Sequence, residues 1–217
     1  MCYDSESSLK AFIIGLSSSI YLLNSEDKIN KTIGIFFISV VSIQLLEYLM
    51  WIDLKCENTN YYATLLIPIV LTLQVYSIIF TSYYYDTYKI LSSEFLKDYI
   101  SIITLIFLFY ISYNTIKSSK RKLCSKKNDK YQAMNWDIEK ALTYEKFLYY
   151  FIFIIGGFLL KDNIKSSIIL ISGFLTFYFN LIENPDINFD HTGINASRWC
   201  YFSAYVPLLI IFYDLLK

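Results

Sequence analysis

The amino-acid sequence predicts an all-α fold, a polytopic bundle of about seven transmembrane helices. Hydrophobic residues make up 55% of the 217 residues and the mean hydropathy is +0.41, both above the values of soluble globular proteins. The apolar residues come in long continuous runs, without the alternation that is typical of membrane-spanning β-strands. Because backbone polar groups in lipid must be satisfied within a segment, such runs favour helices.

Seven apolar runs bounded by charged residues are the predicted spans of a single transmembrane domain, 1–217. The second, third and fourth runs are long enough for a hydrocarbon core of about 30 Å. The first, fifth and sixth have only 14 to 17 residues, so these helices are expected to begin earlier or to place flanking residues among the headgroups, and six spans is the alternative. The predicted spans are Leu9–Asn24, Thr32–Leu54, Tyr62–Tyr85, Tyr99–Ile116, Phe147–Leu160, Ser166–Ile182 and Trp199–Leu216.

The charged residues predict the orientation of this bundle. The sequence contains 19 lysines and arginines and 19 aspartates and glutamates, so there is no excess charge that would favour nucleic acid as a partner. With a cytoplasmic N-terminus, twelve lysines and arginines fall on the cytoplasmic side and seven on the opposite side. Because basic residues accumulate in cytoplasmic loops, we expect an integral, multi-pass protein with its N-terminus in the cytoplasm.

The segment 117–146, between the fourth and fifth spans, is predicted to be a basic cytoplasmic loop. Each basic residue near an anionic membrane surface is attracted by about 1 kcal/mol. A solvated flank with no lipid selectivity is the alternative interpretation of this tract. The residues expected to contact anionic headgroups are Lys117, Lys120, Arg121, Lys122, Lys126 and Lys127.

The second part of this loop, Gln132–Glu145, is predicted to form a short amphipathic helix on the membrane surface. Met134, Ile138 and Leu142 recur at every fourth position, which places them on one side of a helix. Trp136 fits either the interface between membrane and water or a packing role against the bundle.

The four cysteines, Cys2, Cys56, Cys124 and Cys200, all fall on the cytoplasmic side of this topology. Because the cytoplasm is reducing, we expect them to be free thiols, and no disulfide is required. A glycosylation sequon at Asn30 would face the opposite side, in a loop so short that modification is not expected.

The second span carries the most informative polar residues of the chain. Gln44, Glu47 and Trp51 are spaced so that all three lie on one helical face. A carboxylate within a transmembrane helix costs about 2.5 to 3.5 kcal/mol, so Glu47 is expected to face the bundle or a wet cavity. The alternative is that Glu47 bonds to a neighbouring helix and only fixes its packing. In the third span, Gln74 can bond across helices and Pro68 is expected to kink the helix.

The last span opens with Trp199 and Cys200. In the predicted topology the first and last helices run outward from the cytoplasm, so Cys2 and Cys200 start at the same membrane face. The second helix runs inward and brings Glu47 and Trp51 toward that face. These five residues are therefore expected in the same half of the bilayer.

Three patches of sequence together resemble a known group of proteins. They are Met1-Cys2-Tyr3 followed by Ser8, Gln44-x-x-Glu47-x-x-x-Trp51, and Trp199-Cys200-Tyr201-Phe202. In this order they resemble small multi-pass membrane proteins of bacteria and large DNA viruses, which begin Met-Cys-Phe-Ser-Ala, carry a Gln-x-x-Glu-x-x-x-Trp helix and end in a Trp-Cys-Phe-Phe helix. The chain departs from that pattern with Asp4 and Ser5. The resemblance implies a shared membrane architecture and no particular reaction.

The function predicted from these residues is the binding or transport of a small ligand or ion in a polar intramembrane pocket centred on Glu47. One alternative is an intramembrane enzyme that acts on a lipid or acyl group, with Cys2 or Cys200 as the nucleophile and Glu47 nearby. Another is a membrane-remodelling or interaction protein. No cofactor and no metal site are expected, because the separations between cysteines, His191 and Glu47 are long. The predicted ligand-binding residues are Gln44, Glu47, Trp51, Gln74, Trp199 and Cys200.

Overall fold

The computed structural model describes residues 4–87, 123–128, 133–137, 160–183 and 200–217, together with residue 197 and positions 98, 99, 102, 103, 106, 110, 113 and 117. The described chain is mostly helical, so the predicted all-α class is confirmed. Its elements are α1 (Ser5–Leu23), α2 (Lys28–Ile52), α3 (Asn58–Tyr85), β1 (Lys126–Asn128), β2 (Ala133–Asn135), α4 (Asn163–Glu183) and α5 (Val206–Leu215).

Helices α1 and α2 form an antiparallel pair joined by a tight turn. The Asp4 side chain accepts a hydrogen bond from the Ser7 N–H at 2.7 Å and caps α1, which therefore begins earlier than its apolar run. The Asp27 side chain caps α2 in the same way by accepting from the Ile29 N–H at 2.9 Å. Polar capping residues thus fix both helix starts.

Two glycines allow α2 and its neighbours to approach closely. A Cβ atom on Gly34 would lie 2.7 Å from the Ser19 carbonyl oxygen of α1. A Cβ atom on Gly15 would lie 2.7 Å from the Ala204 carbonyl oxygen and would also clash with Val41. Since real Cβ atoms do not approach backbone this closely, larger residues at these positions would push the helices apart.

Helix α2 is the centre of the described bundle, in contact with α1, α3 and α5. Phe37, Val40, Val41 and Ile43 near its middle have no exposed surface. In the part of the chain that the structure describes, α2 is the one helix that is long and apolar enough to cross a membrane. The prediction of about seven spans therefore stays a prediction.

The last predicted span is interrupted rather than continuous. The helical turn that contains Cys200 ends at Ala204 and Tyr205, and α5 begins at Val206. Pro207 lies at the start of α5, where its missing N–H is tolerated, so the helix restarts at this position. By contrast, α3 continues through Pro68. The predicted fourth and fifth spans fall mostly outside the described residues.

The predicted surface helix Gln132–Glu145 is wrong at its start, because residues 133–135 form β2. This strand pairs antiparallel with β1, with Lys127 opposite Met134. Met134 and Trp136 are both buried, which is the two-residue period of an extended chain and not the period of a helix. Ile138 and Leu142 lie outside the described residues.

Candidate functional site

Glu47 lies on α2 and has no exposed surface. Both of its carboxylate oxygens accept a hydrogen bond from a neutral donor. Gln44, one turn earlier on the same helix, donates from Nε2 to Oε2 at 3.0 Å, and Trp136 donates from its indole Nε1 to Oε1 at 3.0 Å. The carboxyl group that hydrocarbon would reject is therefore enclosed by protein groups.

Trp136 reaches Glu47 from a segment 89 residues further along the chain. It follows β2, and together with Met134 it joins a cluster of buried residues on α2 and α3. The neighbours in that cluster include Met50 and Ile67. Of the two roles expected for Trp136, the packing role is the one found, with a hydrogen bond to Glu47 that the sequence did not predict.

Residues 123–128 and 133–137, called the cap below, are fixed to the start of α3 by buried polar groups. Asn60 donates from Nδ2 to the Ser125 carbonyl oxygen at 2.9 Å and accepts from the Ser125 N–H at 3.0 Å. The Thr64 and Ser125 hydroxyl groups are 2.8 Å apart. All three residues have no exposed surface. The cap is therefore a specific docked element and not a solvated loop.

A disulfide joins Cys56 to Cys124, with their Cα atoms 5.4 Å apart. The prediction that all four cysteines are free thiols is wrong for this pair. Cys56 lies in the turn between α2 and α3 and Cys124 lies in the cap, 68 residues away, so no local pattern indicated that the two approach. Cys200 is the free cysteine among the described residues, and it is buried. Cys2 lies outside the described residues.

The structure brings several of the predicted site residues together. Trp51 and Cys200 belong to the same buried cluster as Trp136. Gln74 is buried further along α3, two turns beyond Ile67. Trp199 lies outside the described residues.

A second buried polar centre lies at the other end of α2, and the sequence did not predict it. The Lys165 ammonium, at the start of α4, donates to Asp27 Oδ2 at 2.8 Å, to Asn30 Oδ1 at 2.7 Å and to Asp214 Oδ2 at 3.1 Å. Asn30 also donates from Nδ2 to Asp214 Oδ2 at 2.7 Å. Only 3% of the Lys165 side chain is exposed. This network joins the beginnings of α2 and α4 to the end of α5.

The network affects Asp27 and Asn30 in different ways. Burial alone would raise the pKa of Asp27, but the hydrogen bonds from Lys165 and from the Ile29 N–H outweigh it, and the pKa lies below the ordinary value of 3.8. The Asn30 side chain is buried and bonded on both its oxygen and its nitrogen, which leaves the sequon no room for a glycan.

Comparison of the chain with protein-family models, with curated proteins and with solved structures gave no match. The resemblance to small bacterial and viral membrane proteins therefore stays a prediction. What the Glu47 centre can do follows from its chemistry alone. A carboxyl group that accepts hydrogen bonds from neutral N–H donors can take up and release a proton, or exchange those donors for a ligand.

Proposed function

We propose that this chain is a multi-pass integral membrane protein that binds a small ligand or ion, a proton in the simplest case, at an intramembrane site centred on Glu47. The observation that carries the proposal is the fully buried Glu47 carboxyl group, whose hydrogen-bond donor Trp136 belongs to the separate cap. Ionisable residues inside membrane helices are costly and are typical of ion and proton sites.

Exposed apolar side chains on the remaining helices support several membrane spans. A soluble monomer rarely leaves a large contiguous apolar surface open to water, whereas lipid acyl chains would cover one at no cost. The exposed positions recur along α3 at seven-residue spacing, as expected for one helix face turned toward lipid. They include Ile13 and Ile20 on α1, Leu66, Leu73 and Phe80 on α3, Ile171 and Phe174 on α4, and Leu209 and Phe212 on α5.

A proton is the occupant that the geometry favours. Glu47 has no exposed surface, and Gln44 and Trp136 occupy both of its oxygens. A proton needs no cavity, whereas a larger ligand requires the cap to move away. The alternative of a thiol-dependent enzyme has less support, since the candidate nucleophile Cys200 is only 1% exposed.

The basic loop supports the proposed lipid contacts and orientation. Lys126 and Lys127 on β1 are exposed, as is Lys117, so their ammonium groups are accessible to anionic headgroups. The twelve basic residues on this side, against seven on the other, support a cytoplasmic location for the cap and the N-terminus.

Tryptophan fluorescence of the purified protein in detergent micelles tests the Glu47 site. Protonation of Glu47 changes the acceptor of the Trp136 indole N–H, so emission is expected to change with pH in a single transition. Glu47→Gln should abolish the transition, and Trp136→Phe should remove its signal. Trp51→Phe is the matched control, because Trp51 lies in the same cluster and should leave the transition in place. The same transition in Glu47→Gln would contradict the proposal.

A further inference from the structure

The Cys56–Cys124 disulfide is connected to the Glu47 site through a short chain of contacts. The Cys124 N–H donates to the Asp137 carboxylate at 3.0 Å, and the Asp137 N–H donates to Ser125 Oγ at 3.2 Å. Asp137 directly follows Trp136, which donates to Glu47. The disulfide therefore anchors the part of the chain that closes over the carboxyl group.

This disulfide is accessible, and one of its residues has an unusual backbone. Cys56 and Cys124 are both half-buried, in contrast to the buried Cys200. Cys56 has a φ of 59°, in the left-handed region that residues other than glycine adopt infrequently. Such a conformation persists where surrounding contacts hold it, and here a covalent bond is one of them.

The charge distribution and the disulfide together indicate a reversible bond. The excess of basic residues favours a cytoplasmic cap, and disulfides in the cytoplasm are usually transient and redox-sensing. We propose that the Cys56–Cys124 disulfide is a redox-controlled latch that holds the cap over Glu47. This inference rests on the proposed function of the Glu47 site.

The chemistry of the latch is ordinary thiol–disulfide exchange with a dithiol reductant. A thiolate of the reductant attacks one sulfur, the bond between Cys56 and Cys124 breaks, and a mixed disulfide forms. The second thiolate of the reductant then displaces the protein sulfur. Two electrons and two protons end on the two cysteines, and the reductant becomes a disulfide. The cap then depends on its noncovalent contacts, including those of Asn60 and Thr64, and Glu47 becomes reachable.

Carboxyl labelling of the full chain in detergent micelles tests the latch. Dicyclohexylcarbodiimide, an apolar carboxyl reagent, is applied to the oxidised protein, to protein reduced with dithiothreitol and alkylated with iodoacetamide, and to the double variant Cys56→Ser/Cys124→Ser. We expect peptide mass spectrometry to show severalfold faster modification of Glu47 in the last two samples. Modification of the exposed Glu26, at the other end of α2, should proceed equally in all three.

Two controls make the outcome specific. Cys200→Ser should retain the dependence on reduction, because Cys200 is outside the disulfide. Equal labelling of Glu47 in the oxidised and reduced protein would overturn the latch. If the fluorescence transition of Glu47 is nevertheless present, the proposed site stands without the latch. If labelling depends on the disulfide but no transition exists, the latch stands and the proton site is wrong.

Thiol trapping in cells that express the full chain tests reversibility. Acid quenching followed by a maleimide of high molecular mass should reveal both reduced and oxidised forms, and a membrane-permeant oxidant should increase the oxidised form. A chain that is fully oxidised under all conditions would show a permanent structural disulfide and would overturn the redox-controlled latch.

Discussion

The two ends of α2 bury charged groups in different ways. At the first end, the Lys165 ammonium is balanced by the carboxylates of Asp27 and Asp214, all at the ends of helices. At the other end, the Glu47 carboxyl group accepts hydrogen bonds from the neutral side chains of Gln44 and Trp136. An ion pair fixes the charge of its members, whereas neutral donors leave a carboxyl group able to change its protonation state.

The origin of the partners also differs between the two ends. The Lys165 network ties together helices of the bundle itself, so its disruption should loosen the fold. Glu47 is held in part by the cap, a separate docked element, so changes there should alter access and chemistry more than stability. From this difference we expect a structural role for the Lys165 centre, and it agrees with the role proposed above for the Glu47 centre.

Lys165→Met is expected to have the largest effect on stability. Removing one partner of a buried ion pair leaves uncompensated charge and costs about 3 to 5 kcal/mol. We expect about 3 kcal/mol, the low end of that range, because Asp27 and Asp214 still reach water. Unfolding in detergent by denaturant measures the loss. Glu47→Gln is the comparison variant and should cost about 1 kcal/mol or less, since the amide retains hydrogen-bonding capacity. Equal losses of stability in the two variants would show that the Lys165 and Glu47 ends of α2 do not differ in their contribution to the fold.

Asn60→Ala is expected to have the next largest effect and to act on the cap. It leaves the buried N–H and carbonyl group of Ser125 without the partner that both use, at a cost of about 2 kcal/mol. The disulfide should also be reduced faster in this variant, which thiol labelling over time would measure. Thr59→Ala, at an exposed neighbouring position, should change neither quantity. An unchanged reduction rate in Asn60→Ala would show that the cap is held elsewhere.

Trp136→Phe is expected to have a moderate effect that depends on Glu47. At a pH at which Glu47 is ionised, loss of the hydrogen bond from Trp136 should cost about 1.5 to 3 kcal/mol, and we expect the lower value because the phenyl ring retains most of the packing. In a Glu47→Gln background the same substitution should cost less, because the acceptor is no longer charged. A double-mutant cycle measures this coupling. Additive costs would show that Trp136 contributes through its packing alone and that its hydrogen bond to Glu47 does not stabilise the protein.

The sequence predicted the local features of this fold better than the contacts between residues far apart in the chain. Helix α3 ends at Tyr85 as predicted, and Gln44 donates a hydrogen bond to Glu47 one turn away on α2, because both features depend on residues close in the chain. The contacts of Glu47 with Trp136 and of Lys165 with Asp27 join residues 89 and 138 positions apart, and no local pattern encodes them. The apolar residues around residue 134 did not distinguish a strand from a helix. Met134, Ile138 and Leu142 have the spacing of a helix, whereas the buried residues Met134 and Trp136 have the two-residue period of a strand.

The smallest expected effect is the pH dependence of the Lys165 centre, and Asp27→Asn measures it. Asparagine can still accept the hydrogen bond at the N-terminus of α2, so the substitution removes the ion pair and retains the capping of this helix. Because the folded pKa of Asp27 is lowered, its contribution to stability is fully present above the ordinary value of 3.8 and is lost as the pH falls through the folded value. The chain should therefore be more stable than Asp27→Asn at pH values near neutral, and the two should converge in acid. In a Lys165→Met background the difference should shrink to the part that the Ile29 N–H contributes, whereas an unchanged difference would mean that Asp27 stabilises α2 without Lys165.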